Sequence, residues 1–150
     1  MGPMAALDPE NFRKLMEVNI VSAFSVLSAA ALDVVDGGNI IGLTTSMVRA
    51  AVSSGCLYTE GGASVEKLLR SRPKELALRK RRVNGVAPGP VDTDLFRAGR
   101  DEATIARSGG MSPFNRVGQH DAVAEVVAYP ASGKASWVHG QIIQPNGGMV

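Results

Sequence analysis

The stretch Arg82–Phe96 reads Arg-Val-Asn-Gly-Val-Ala-Pro-Gly-Pro-Val-Asp-Thr-Asp-Leu-Phe, and it constrains the fold more than any other part of the chain. Val83, Val86 and Ala87 have the character of a short buried strand. Pro88-Gly89-Pro90 then forces the chain into a turn, because proline lacks a ladder N–H and glycine takes dihedrals that other residues avoid. In open α/β sheets ligands sit outside the carboxyl ends of the strands. This turn, with Thr93 and its free backbone groups, is therefore placed where a ligand could be held.

Upstream, Asp8-Pro9-Glu10 is a helix start: a capping side chain, a proline suited to the first turn and an acidic residue at the positive end of the dipole. Phe12, Leu15, Met16, Ile20, Ala23, Phe24, Leu27 and Ala31 recur at three- and four-residue steps. That spacing predicts one long helix, Phe12–Val35, with an apolar stripe lying on a sheet or a partner helix. Asp36-Gly37-Gly38 stops it, and Asn39–Thr45 reads as a buried strand. After a loop, Ser46–Leu57, a second long helix runs from Tyr58 to about Arg81 with Val65, Leu68, Leu69 and Leu76 inward. Gly61 and Gly62 each cost it roughly 1 kcal/mol relative to alanine, and an interior Pro73 about 3 kcal/mol. A break at Arg72 is expected, with Ser71 capping and Pro73 opening a new segment. Asp101–Arg107 reads as a short helix, Asp121–Tyr129 as another ended by Pro130, and Trp137–Gln144 carries the last strand. The alternation of helix and strand means a parallel α/β layer.

A chain of 150 residues, 45% hydrophobic and 20% charged, is long enough for one domain with a core. Its net charge of +2 gives no strong pull toward nucleic acid or an anionic membrane. The basic residues Arg70, Arg72, Lys74 and Arg79–Arg82 lack interleaved aromatics and read as a solvated helix face. No apolar run of transmembrane length and no charged-then-apolar leader stand out, so a soluble protein is expected. Cys56 is the single cysteine and cannot form an internal disulfide, which suits a reducing, cytoplasmic setting. His120 and His139 stand alone, and no metal site is expected.

The segment Val83–Phe96 resembles the one that follows the sixth strand of the short-chain dehydrogenase/reductase family, and the likeness runs from about Phe12 to Val150, the C-terminal part of that family. The resemblance implies a single domain over residues 1–150 with a truncated, Rossmann-like three-layer α/β fold. About three parallel strands, near Ile40–Thr44, Val83–Ala87 and Gln141–Gln144, would be flanked by helices, the first strand leaving an open edge. It further implies an NAD(P)-dependent oxidoreductase acting on a small-molecule carbonyl or secondary alcohol. Tyr58, twelve residues after Ser46 and twenty-five before Val83, matches the tyrosine that exchanges the proton at the substrate oxygen. Ser46 or Thr45 would hydrogen-bond the substrate carbonyl: spacing favours Thr45 and residue type Ser46. Asn19 matches a helix asparagine that supports a water relay, although a mid-helix asparagine also reads as a plain buried hydrogen bonder. Pro88, Gly89, Val91 and Thr93 match the loop at the nicotinamide end of NADP or NAD. Residues 111–118 resemble a substrate lid and return loop.

Two departures from the family pattern bear on activity. The family places a lysine four residues after the tyrosine, where it holds the cofactor ribose and lowers the tyrosine pKa; here that position is Gly62. Without such a cation a phenol titrates near pKa 10, and only about one in a thousand is ionised at neutral pH. Lys67 lies too far along to point the same way. The glycine-rich strand–turn–helix that cradles a pyrophosphate is also absent from the sequence. Impaired proton transfer and weakened cofactor binding are therefore expected, with restoration of lysine at position 62 raising activity. The alternative is a non-catalytic remnant or interaction subunit. The family's long helices usually make subunit contacts, so a homo-oligomer or pairing with a full-length relative is expected.

Overall fold

A computed structural model describes residues 4–50 and 55–150. The elements run α1 (Pro9–Met16), a π-helical turn (Glu17–Val21), α2 (Ser22–Asp33), β1 (Asn39–Leu43), α3 (Cys56–Leu76), β2 (Arg82–Val86), β3 (Val91–Asp92), α4 (Asp94–Arg97), α5 (Glu102–Gly109), β4 (Gly118–Gln119), α6 (His120–Ala131) and β5 (Ile142–Ile143). Residues 51–54 of the expected Ser46–Leu57 loop lie outside the described residues; Ser46–Arg49 form a 3₁₀ turn.

Asp8 caps α1, its carboxylate accepting from the Glu10 and Asn11 N–H groups, with Pro9 in the first turn. The single helix expected over Phe12–Val35 is instead two α-helices joined by the π-helical turn that contains Asn19. The helical run ends at Asp33, with Val34 extended. A π turn adds a residue to the local repeat and re-phases the side chains that follow. Leu27 is accordingly buried while Phe24 stays 51% exposed. Pro9–Asp33 also corrects the expectation that no apolar run reaches membrane-spanning length: within its 25 residues an 18-residue window has a mean hydropathy of 1.7. Within α2 apolar residues are carried around the helix rather than along one stripe, and α2 packs through Leu27 into the core formed with Ile40, Leu69, Leu76 and Val83.

Three parallel strands form the main sheet in the order β1-β2-β5, with Ile40 opposite Val83, Gly42 opposite Gly85 and Gly85 opposite Ile142. The ladder continues past the strand ends through Thr44 N–H to Val86 C=O (2.8 Å) and Ala87 N–H to Ile143 C=O (2.7 Å). Among the described residues β1 is paired on one side only. Strand side chains alternate between faces. Ile40, Gly42, Val83 and Gly85 face α3; Asn39 and Arg82 face the other way and donate to the Ala131 and Pro130 carbonyls of α6. The sheet is thus sandwiched between helical layers. The register sets Gly42 beside Gly85, and Leu69 presses onto both: a Cβ on Gly42 would lie 2.7 Å from the Leu69 side chain, and one on Gly85 3.1 Å from it and 2.5 Å from Ile142 Cδ1.

α3 departs from expectation. It begins two residues before Tyr58 and runs unbroken through Pro73 to Leu76. The expected break at Arg72 is absent, and the Ser71 hydroxyl donates to the Leu68 carbonyl instead of capping a new helix. Leu69 and Leu76, two turns apart on one face, are both buried in the core on either side of Pro73, and their burial outweighs one lost backbone hydrogen bond. His139 braces the same place: its Nε2 lies 3.0 Å from the Pro73 carbonyl and its Nδ1 accepts from Val83 N–H at 3.0 Å. The second expected stop, Pro130, likewise lies inside α6, which ends one residue later. The β3–β4 ladder, Val91 opposite Gly118, has no counterpart in the sequence reading. α5 follows it closely, with Asp101 as the cap.

Candidate active site

β1 delivers Thr44, Thr45 and Ser46 to the carboxyl end of the sheet, where α3 begins. Asn19, Thr45, Tyr58, Gly61 and Gly62 converge on one cleft of ≈ 330 Å³. Tyr58 stands in the first turn of α3, 53% exposed, its N–H bonded to the Gly55 carbonyl. Asn19, on the π turn, faces Gly61: a Cβ there would sit 3.2 Å from the Asn19 Cβ. Lys67 lines a different groove, between the long helices with Ile20 and Phe24.

The two hydroxyl candidates part company. Ser46 is fully buried; its Oγ donates to the Ala87 carbonyl (2.5 Å) and accepts from Asn146 Nδ2 (3.1 Å). Those bonds tie it to β2 and to the chain after β5. Thr45 lines the cleft, and its Oγ1 accepts from Met47 N–H at 3.2 Å, capping the 3₁₀ turn. A hydroxyl that accepts there still has a proton to donate.

Pro88, Gly89, Val91 and Thr93 form the neighbouring edge, but its backbone is not free as expected. The Pro88 carbonyl accepts from Ser46 N–H (2.8 Å), Gly89 N–H donates to Pro145 C=O (3.2 Å) and the Pro90 carbonyl accepts from Gly118 N–H (2.8 Å). Prolines at both ends leave few groups to satisfy, and adjoining segments satisfy them. A Cβ on Gly89 would meet Asn146 Cα at 3.0 Å, so only glycine lets the loop lie this close. Thr93 caps α4, its Oγ1 accepting from Phe96 N–H. Beside it Arg97 grips Asp92 with two hydrogen bonds of 2.6 and 2.9 Å. That fork holds the Asp92 carboxyl below the usual carboxylate range and raises Arg97. The Thr104 hydroxyl and N–H do the same to Asp101.

Sequence reasoning missed a cluster behind the cleft. Glu66 is buried; Arg49 donates to both its oxygens (2.9 and 2.7 Å) and the Thr44 hydroxyl to one (3.1 Å). The signal was present: a carboxylate next to inward-facing Val65 demands a partner once buried.

A parallel sheet sandwiched by helices, with a tyrosine and a threonine lining one cleft at the strands' carboxyl ends, defines a Rossmann-like α/β domain. Residues 1–150 match the family described as enoyl-(acyl carrier protein) reductase. A short-chain type dehydrogenase/reductase of Picea abies is 37% identical over 149 residues, covering 98% of this chain and 55% of its own. The chloroplastic NADPH-dependent aldehyde reductase 2 of Arabidopsis thaliana is 36% identical over 141 residues, 93% of this chain and 52% of its own. In three dimensions the angucycline C-6 ketoreductase LanV, solved with bound NADP, superposes with a TM-score of 0.92 at 30% identity, over 99% of this chain and 58% of its own. The chain belongs to the short-chain dehydrogenase/reductase family and spans about half the length of these curated relatives.

Proposed function

We propose that this chain carries the substrate-facing part of an oxidoreductase site that uses NADP or NAD on a small carbonyl or secondary alcohol, with proton transfer impaired. The convergence of Tyr58, Thr45 and Asn19 in one cleft carries this reading. Thr45 would donate to the substrate oxygen and Tyr58 would exchange the proton there, while buried Ser46 fixes the strand end to the adjoining loop. Asn19, packed on Gly61, would hold water against the start of α3. Pro88, Gly89, Val91 and Thr93 would border the nicotinamide, which supplies or accepts the hydride when bound. The fit is partial: the loop edge is preformed, but position 62 offers no amine to the ribose or to the Tyr58 phenol. General acid–base groups contribute about 10²–10⁴-fold to rate. Loss of the amine therefore supports a slow enzyme.

The assay is reduction of a panel of aldehydes and ketones with NADPH and NADH, in parallel with Tyr58→Phe and Thr45→Val. Slow turnover that both variants abolish is expected. Brisk turnover that survives Tyr58→Phe would remove the basis of this reading. A second reading, a subunit that works through association with another copy or a longer relative, is favoured by the exposure of Val18, Val21, Phe24 and Val26 on the long helix.

A further inference from the structure

Position 62 is not a vacancy waiting for a side chain. A Cβ built on Gly62 would lie 2.9 Å from Thr45 Cγ2 and 2.9 Å from Val48 Cγ2, closer than packed carbons approach. Both methyls belong to the segment that leaves β1, and that segment cannot readily swing away. Its start is tied to the sheet by Thr44 N–H to Val86 C=O and Ser46 N–H to Pro88 C=O, each 2.8 Å. Its end is tied to α3 by the two-pronged Arg49–Glu66 bond, and Thr44 binds the same carboxylate. Glu66 is one turn beyond Gly62, so the ties bracket the contact along the helix.

We infer that Val48 is a positioning residue for this site: with the Thr45 methyl it occupies the volume a side chain at position 62 would need, and Arg49 and Glu66 lock it there. The inference rests on the reading of the cleft given above and departs from the expectation that lysine at position 62 raises activity by itself. A lysine there must displace the turn that also places Thr45, so Gly62→Lys alone disturbs the hydroxyl it is meant to assist. The amine becomes compatible with the site only when Val48 and Thr45 lose their methyls, as in Val48→Ala and Thr45→Ser, the latter keeping its hydroxyl.

The test is a mutant cycle on the full chain with two readouts. By melting temperature, Gly62→Ala lowers stability by about 3 °C or more, although alanine is the better helix former. In the Thr45→Ser/Val48→Ala background the same change is neutral or stabilising. Val48→Ala alone gives the same sign with smaller coupling, which keeps the test usable if the double background folds poorly. By titration with NADPH, Gly62→Lys alone gains nothing, whereas Gly62→Lys in the double background binds about tenfold more tightly than its parent, the scale of one charge-assisted contact. Gly62→Ala that stabilises in both backgrounds, or Gly62→Lys that gains affinity unaided, overturns the inference. Coupling in the melting cycle with no NADPH response in any variant sustains the packing inference and removes the oxidoreductase reading.

Discussion

The two flanks of the sheet are built on opposite terms. On the β2–β5 flank polar atoms are spent on distant partners. Asn84, fully buried in β2, donates to Val138 C=O and accepts from Gln141 N–H. Arg82 reaches three carbonyls, one in the last turn of α6 and two just beyond it, and Ser46 meets Asn146 across 100 residues of sequence. On the long-helix flank Ser22 and Ser25 bond back to their own helix, at Val18 C=O and Val21 C=O, and Val18, Val21, Phe24 and Val26 remain exposed. The first flank is fixed by mutual satisfaction of buried polar groups. The second packs through Leu27 and is held from outside by Arg72, Arg79 and Arg81, which donate to the Ser28 hydroxyl and to the Ala31 and Leu32 carbonyls, while its outer apolar side chains stay exposed. The candidate site lies at the seam, with Thr45 from the closed side, Asn19 from the open one, and Tyr58 on the helix between.

Removing the packing that joins the flanks should cost most. Leu69→Ala takes away the side chain seated on Gly42 and Gly85 and is expected to lose about 2–5 kcal/mol in denaturant unfolding; a loss below about 1 kcal/mol would mean the sheet does not depend on α3. Asn84→Ala or His139→Ala removes a side chain that bridges two partners and should cost about 1–3 kcal/mol, while Ser25→Ala on the open flank costs almost nothing. Equal costs at these positions would erase the contrast between flanks. A smaller effect is expected from acid. Because the folded pKa of Asp92 is depressed, its contribution is complete above the ordinary carboxylate pKa of about 3.9 and is lost as pH falls through the depressed value. NMR of the Arg97 Nε–H should show the fork opening in that acid window; opening between neutral pH and about 5 contradicts the assignment. Smallest for folding, Val18→Ser with Val26→Ser should shift stability by under about 0.5 kcal/mol yet reduce self-association in sedimentation velocity. Unchanged association at high concentration would deny the open flank its role.

Much of the fold was legible because it rests on local chemistry. Pro88-Gly89-Pro90 marked the end of β2, Asp8 and Asp101 marked helix starts, and the alternation of helix and strand pointed to the parallel layer. What stayed hidden depends on contacts far away in the chain. Pro73 looked like a break because its penalty is local, while the burial of Leu69 and Leu76 that carries α3 through it is tertiary. Spacing pointed to Thr45 and residue type to Ser46, and the sequence left both open; bonds to Ala87 and Asn146 turn Ser46 inward. Gly62 read as a missing amine, and only the placement of Val48 shows the space to be filled.

The most direct test of the central claim, a site assembled around Tyr58 and Thr45 but without its supporting cation, is calorimetric titration of the folded 150-residue chain with NADPH and NADH. The account predicts no saturable binding in the micromolar range. Saturable micromolar binding of either nucleotide by the unmodified chain would contradict it.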